Sequence, residues 1–196
     1  MSTDAVELRV LGCLIEKQRT TPDAYPLSLN ALRLACNQST NRDPVVDYEE
    51  PAIRDALQRL STKGWVRLAS GPTSRAVKYR HLFDEALGLA DSELSLLTVL
   101  MLRGAQTVGE LKSRTERLHR FGSLADVDET LHALVGHELV VRLQRRPGQK
   151  EERWEHRLGD AADSAPAPVP ADSLEERVRV LEEQVAELRA RLGRAV

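Results

Sequence analysis

One pattern occurs twice in this chain of 196 residues, and it restricts the fold more than any other feature. Between Ala52 and Leu82 an amphipathic helix carries Ile53, Leu57 and Leu60 on one stripe and runs into Lys63-Gly64, a cation and a glycine suited to a left-handed cap. Two extended runs follow, Trp65-Val66-Arg67-Leu68 and Ala76 to Leu82, joined through Ser70-Gly71-Pro72-Thr73-Ser74. At a constant offset of 74, Val127, Leu131, Leu134 and Leu139-Val140 repeat Ile53, Leu57, Leu60 and Trp65-Val66. The second pair of strands is Leu139 to Arg145 and Glu152 to Leu158, joined through Arg146-Pro147-Gly148-Gln149-Lys150. Helix, strand, Pro-Gly turn, strand is the helix and wing of a winged helix-turn-helix.

The segments before each block repeat as well. Asp4 to Arg19 reads as a helix with Val6, Val10, Leu11, Leu14 and Ile15 on its apolar face. Pro22 and Pro26 break it, and Ser28 caps a short helix carrying Leu29, Leu32, Ala35 and Cys36. A third helix starts near Tyr48-Glu49-Glu50-Pro51, where acids and a proline suit a helix N-terminus. In the second unit Ser92 to Arg103 echoes the first helix at an offset of 86, Thr107 and Glu110 have capping-box spacing, and Asp126 to Glu138 is the third helix. The first unit therefore carries twelve extra residues, mostly around Tyr25 and Asn37–Asp47. The fold class predicted is mainly α with small β-hairpins: two tandem winged helix-turn-helix domains at 1–88 and 89–159, then a linker and a C-terminal amphipathic helix.

After position 159 the composition changes. Residues 160–172 are Ala, Pro, Ser and Asp with a single Val169 and no hydrophobic period, a linker stiffened by Pro166, Pro168 and Pro170. From 173 to 196 the apolar positions Leu174, Val178, Leu181, Val185, Leu188 and Leu192 alternate spacings of four and three. Val at a and Leu at d favour a parallel two-stranded coiled coil, so these six residues are candidate homodimer contacts. An amphipathic helix docked on its own chain has the same pattern.

Composition narrows the function classes. A 41% apolar content with only 4% aromatic residues implies aliphatic cores, and a net charge of −2 restricts any nucleic-acid site to a local patch. No basic stretch leads into an apolar run at the start, and the longest apolar run, Leu96 to Leu102, is too short to cross a bilayer, so the reading is cytoplasmic with no membrane partner. Cys13 and Cys36 sit among apolar helical neighbours as buried free thiols. No Gly-x-Ser-x-Gly elbow, phosphate-cradling loop or His-Glu-x-x-His occurs, and the five histidines are scattered. The chain is expected to be no enzyme, to bind no metal and to need no cofactor.

The runs Glu16-Lys17-Gln18-Arg19-Thr20-Thr21-Pro22-Asp23-Ala24-Tyr25-Pro26-Leu27-Ser28-Leu29-Asn30-Ala31-Leu32 and Ala35-Cys36-Asn37-Gln38-Ser39-Thr40-Asn41-Arg42-Asp43-Pro44-Val45 resemble the YceH-like family of bacterial proteins. The resemblance runs from about Asp4 to Leu158 and implies two tandem winged helices. It implies no catalytic residue, and the tail beyond Leu158 rests on pattern alone.

Candidate nucleic-acid contacts fall in three places. Gln38, Ser39, Asn41 and Arg42 occupy a polar loop of phosphate- and base-bonding residue types, although Asn and Asp also cap their own backbone. Arg67, Lys78 and Arg80, alternating with apolar residues, should share the solvent face of the first wing, with Arg75 near its tip and Arg54 on the third helix. Arg142, Arg145, Arg146, Lys150 and Arg153 cluster around the second wing's turn, partly neutralised by Glu151, Glu152 and Glu155. Against deep groove insertion, the third helices lead with Glu49, Glu50 and Asp55 and with Asp126, Asp128 and Glu129. Two functions compete on these features. One is a dimeric, transcription-regulator-like protein gripping double-stranded DNA; the other is a scaffold binding a protein partner, like the tandem winged helices of chromosome-segregation accessory subunits.

Overall fold

The computed structural model describes residues 3–69, 77–145 and 151–159, all within one compact unit, Met1–Asp163. The linker and heptad expected at 160–172 and 173–196 lie outside the described residues. The chain is mainly helical with two small antiparallel sheets. In order it forms α1 (Ala5–Thr20), a 3-10 turn (Pro22–Ala24), β1 (Leu27–Ser28), α2 (Leu29–Cys36), α3 (Glu50–Thr62), β2 (Val66–Leu68), β3 (Lys78–His81) and α4 (Phe83–Leu87). There follow α5 (Asp91–Arg103), α6 (Val108–Thr115), α7 (Leu124–Gly136), β4 (Val140–Leu143) and β5 (Arg153–His156).

Local chemistry sets the helix ends. Asp4 accepts from the Glu7 amide at 2.8 Å while Glu7 accepts from the Asp4 amide at 3.0 Å, a reciprocal cap on α1. Ser28 caps α2 and Thr107 caps α6, as their spacings predict. Helix α7 begins at Leu124, two residues before the expected Asp126, because Ser123 takes the capping position and Asp126 closes the box from the third helical residue. Strand β1 and helix α4 have no counterpart in the expected elements. Two and five residues long, they carry too few apolar positions to show a period.

The apolar surplus of α1 and α5 has a packing reason. Glu7 to Ile15 in α1 and Glu93 to Leu102 in α5 are unbroken buried runs, since each helix packs against its own unit on one side and against the other on the opposite side. Gly12 lies at the crossing. A Cβ there would stand 2.9 Å from two side-chain carbons of Leu102, so the missing side chain sets how closely the two helices approach.

Sheet register fixes which residues share a face. In the three-stranded sheet, ordered β1-β3-β2, Leu27 pairs with Tyr79, Ser28 with Lys78, Arg67 with Arg80, and Val66 with His81. One face is then Leu27, Val66, Leu68, Tyr79 and His81, with Leu27, Val66 and His81 buried, Tyr79 half-buried and Leu68 exposed. The other face is Ser28, Arg67, Lys78 and Arg80. In the second sheet Val140 pairs with His156, Val141 with Glu155, Arg142 with Trp154, and Leu143 with Arg153. Its third strand is reduced to a single bridge between Gln106 and Trp154.

Candidate nucleic-acid interface

The first sheet gathers the sequence-predicted cations. Arg67 is exposed and Lys78 and Arg80 are half-buried, all on the face away from the core. Arg67 stands directly across from Arg80, and like charges opposite one another in an antiparallel pair are destabilising. Arg80 is partly compensated by Glu85 at 2.6 Å; Arg67 and Lys78 have no ion pair among the described residues. Arg75 lies outside the described residues. Arg54 is exposed on α3 and bonds Glu50 one turn back at 2.7 Å, an ordinary surface pair.

Among the described residues of the second hairpin, Arg142 and Arg153 fall on opposite faces. Arg142 shares a face with Val140, Trp154 and His156, and it pairs with Glu152. Arg153 points to the opposite side, donating to the Ala105 carbonyl at 2.9 Å and lying 3.6 Å from Glu110. Arg145 is exposed and is engaged by other groups, and Arg146 and Lys150 lie outside the described residues. The register separates Arg142 from Arg153 within the expected cluster. The sequence carried a signal for this: Arg142 has the same parity as buried Val140, whereas Arg153 is out of step with Trp154 and His156.

The polar loop is fastened to the protein itself. Arg42 is buried at 6% exposure and holds Glu16 of α1 in a two-pronged ion pair, 3.0 and 2.6 Å, while its Nε and Nη2 each donate to the Ala35 carbonyl at 3.1 Å. Arg42, a candidate nucleic-acid contact by residue type, has every prong of its fork spent on the fold. Gln38 accepts from Lys17 at 3.2 Å and donates to the Thr40 carbonyl at 2.8 Å. Asn41 takes a left-handed conformation, φ 59°, and accepts from Arg103 of α5. The Asp43 amide donates to the Leu102 carbonyl at 2.9 Å, so the loop clasps α1 and α5. Of the four loop residues proposed, Ser39 alone is exposed without such a tie among the described residues.

A basic stretch missing from the expected site lies on α6 and just beyond it: Lys112, Arg114, Arg117 and Arg120. Local charge density was the signal for it. Arg114 and Arg120 are paired with Glu110 and Glu116, at 3.3 and 3.4 Å. Lys112, Arg120 and Glu116 also line a shallow depression beside Phe121.

Among the described residues, no helix is long and apolar enough to cross a membrane, and no group of three His, Cys, Asp or Glu side chains could hold a metal ion. His81 is buried at the end of β3, and His156 is half-buried at the end of β5. Burial lowers the pKa of each to about 4, with Asp84 opposing the shift at His81. Both are neutral structural groups near pH 7.

Comparison with known proteins agrees with the resemblance read from the signature runs. A family described as "Protein of unknown function, DUF480" matches residues 3–149. A UPF0502 protein of Serratia proteamaculans is 45% identical over 198 residues, covering 96% of this chain and 92% of that protein. One from Dechloromonas aromatica is 49% identical over 199 residues, covering 95% and 92%. The UPF0502 protein YceH of Salmonella paratyphi B is 45% identical over 201 residues, covering 96% and 93%. These alignments extend past Leu158 into the tail that the signature runs leave out. The chain belongs to this DUF480, or UPF0502, family, to which YceH also belongs.

Proposed function

We propose that this chain is a non-enzymatic, tandem winged-helix protein of the cytoplasm that holds double-stranded DNA by its phosphate backbone, in the manner of a transcription regulator. The order helix, short strand, helix, helix, hairpin supports the winged-helix reading of the first half, and the second half retraces it with its first strand cut to one bridge. The single observation that carries the DNA reading is the outer face of the first sheet. Three cations stand there with Ser28, and the Arg67–Arg80 pairing costs stability that folding alone does not recover. A polyanion would reverse that cost. Phosphate contact is the simplest use of such a face, because it needs positive charge and hydrogen-bond donors without base-specific geometry. Dimerisation through the 173–196 heptads would present two such faces.

A protein partner is the second reading, favoured by α7. In the position from which a groove-reading helix would work, it exposes Leu124 and Val135 at 53% and 42% together with Asp128 and Glu129. Apolar and acidic groups there suit a protein better than phosphate.

The test is fluorescence anisotropy of a labelled random duplex against the full chain across a salt series. About three phosphate contacts per chain predict a log–log slope near −3. Arg67→Glu with Lys78→Glu should weaken binding roughly tenfold or more, while Arg142→Glu with Arg153→Glu changes it little. Absence of binding at low salt would sink the DNA reading and leave the α7 face as the place to seek a partner.

A further inference from the structure

The basic stretch on α6 and just beyond it takes no part in the contact assigned to the first sheet. From Lys112 to Arg120 the chain carries four cations and one carboxylate, Glu116, in a molecule of net charge −2. Lys112 and Arg117 have no ion pair among the described residues, and Arg117 is exposed. Arg120 meets Glu116 at 3.4 Å with 84% and 61% of the two side chains exposed, a loose pair that water screens. The carboxylates at either end of the stretch are committed to helix caps. Glu110 accepts from the Thr107 amide at 2.9 Å, and Asp126 accepts from the Ser123 amide and hydroxyl at 3.0 and 2.7 Å. The cations also stand on a fixed support. The Leu118 and His119 amides donate to the Thr115 carbonyl at 2.7 and 2.8 Å, and buried Phe121 meets the His119 ring at 4.7 Å. Gly109, Lys112, Ser113, Glu116 and Arg120 line one shallow depression beside Phe121. Gly109 leaves one end of it open, and exposed Ser113 adds a hydroxyl. Positive charge beside a hydroxyl donor is what a phosphate oxygen bonds. The equivalent helix of the first half is built otherwise. Its cap Ser28 lies 79 residues before Thr107, and at that offset Ser113 becomes exposed Leu34 and Arg117 becomes Gln38, which is bonded to Lys17.

We propose that α6 and the turn after it form a second phosphate-binding surface, on which Lys112, Arg117 and Arg120 hold duplex DNA in addition to the first sheet. This surface rests on the duplex reading above and gives the second half a part in it. The first half puts its unpaired cations on a sheet, the second on a helix and turn. Helix α7 stays out of the groove, because it leads with exposed Leu124 and carries Asp128 and Glu129 one turn on. The contact is therefore with backbone oxygens, which need charge and donors but no match to base edges.

The test is the salt series of duplex anisotropy on the full chain with Lys112→Gln, Arg117→Gln and Arg120→Gln combined. The first sheet alone accounts for a slope near −3. Three further contacts add about 0.9 each, so the parent should give about −5 to −6 and the triple variant should return to about −3. Its affinity should fall roughly tenfold or more at about 0.1 M salt. Glu116→Gln frees Arg120 and should act in the opposite direction, tightening binding about two- to threefold, which a purely structural role would not do. Should the triple variant fail to fold, Arg117→Gln with Arg120→Gln, both at exposed positions, and Glu116→Gln decide the matter. Residual binding by the Arg67→Glu, Lys78→Glu chain that disappears on adding the triple change would support this surface. A triple variant within twofold of the parent and of unchanged slope would overturn it and leave the first sheet standing. Absence of binding by the parent at low salt would overturn both.

Discussion

The two halves share a frame and differ in what fills it. The Trp65 and Leu139 amides donate to Leu60 and Leu134, both at 3.0 Å, and the Leu82 and Arg157 amides donate to Trp65 and Leu139, both at 2.8 Å. Even the contact from the end of the third helix to the start of the first recurs, as Lys63–Glu7 at 2.8 Å and His137–Glu93 at 3.7 Å. At the 86-residue offset, however, Arg9, Cys13 and Glu16 of α1 become Ser95, Val99 and Leu102 of α5. One half has an interior with buried arginines and thiols and three cations on its outer sheet face; the other has an interior of apolar side chains with buried Ser95, Thr98, Gln106 and Thr115, and a mixed hairpin. Backbone hydrogen-bonding positions were held because each satisfies a buried polar group, whereas side chains between them were free to diverge.

The largest effect should come from the interior that only the first half possesses. Arg42→Ala leaves the Glu16 carboxylate, 12% exposed, with Lys17 at 3.6 Å in place of a two-pronged guanidinium, and losing one member of such a buried pair costs about 3 kcal/mol. Urea unfolding near neutral pH reads this as a lower midpoint with an unchanged slope. Giving the first half the second half's character, with Glu16→Leu and Arg42→Met together, should recover most of the loss. A single variant within about 0.5 kcal/mol of the parent would remove the ion pair as the distinction between the halves.

That pair also marks where the sequence stops being legible. Helix periods, caps and the internal repeat depend on neighbours a few residues apart, so α1, α2, α3, α5 and α6 could be read within a residue or two. Arg42 depends on Glu16, 26 positions away on another helix, and in a polar loop it was indistinguishable from a ligand-binding arginine. Alternation was enough to place Arg67, Lys78 and Arg80 together. It failed for Arg142 and Arg153 because they were grouped by nearness to the turn, and strand parity was not applied.

Acid should test a feature the halves have in common. His81 and His156 are neutral in the fold with pKa values near 4, below the ordinary value of about 6.5. Between those values the unfolded chain binds more protons than the folded one. Their stabilisation is therefore complete above about pH 6.5 and is lost as the pH falls toward 4, by about 3 kcal/mol at pH 4 for His156. His156→Gln should flatten the acid limb of midpoint against pH at little cost near neutrality, its Nδ1 having no partner among the described residues. His81→Gln should flatten the limb too but also lower the neutral plateau, since Nε2 bonds Gln18 at 2.5 Å. An acid limb unchanged in both variants would place the titrating groups elsewhere.

The smallest effect separates two residues with one backbone role. Gly64 and Glu138 occupy equivalent positions after α3 and α7, with φ of 75° and 59°, and their amides donate to Ser61 and Val135 at 3.0 and 2.9 Å. A glycine takes this left-handed conformation freely, whereas a residue with a Cβ is strained there by about 1–2 kcal/mol. Glycine also loses more entropy on folding, which offsets about 0.4–1 kcal/mol of that relief. Glu138→Gly should therefore stabilise by about 0.5 kcal/mol, and Gly64→Ala should destabilise by a similar amount, because a Cβ at Gly64 meets nothing within 4 Å and strain is the sole new term. Opposite signs in urea unfolding would show one backbone geometry with two side-chain solutions. If Glu138→Gly instead loses stability, the Glu138 side chain contributes more than its backbone strain costs, and the helix ends differ in energetics as well as in sequence.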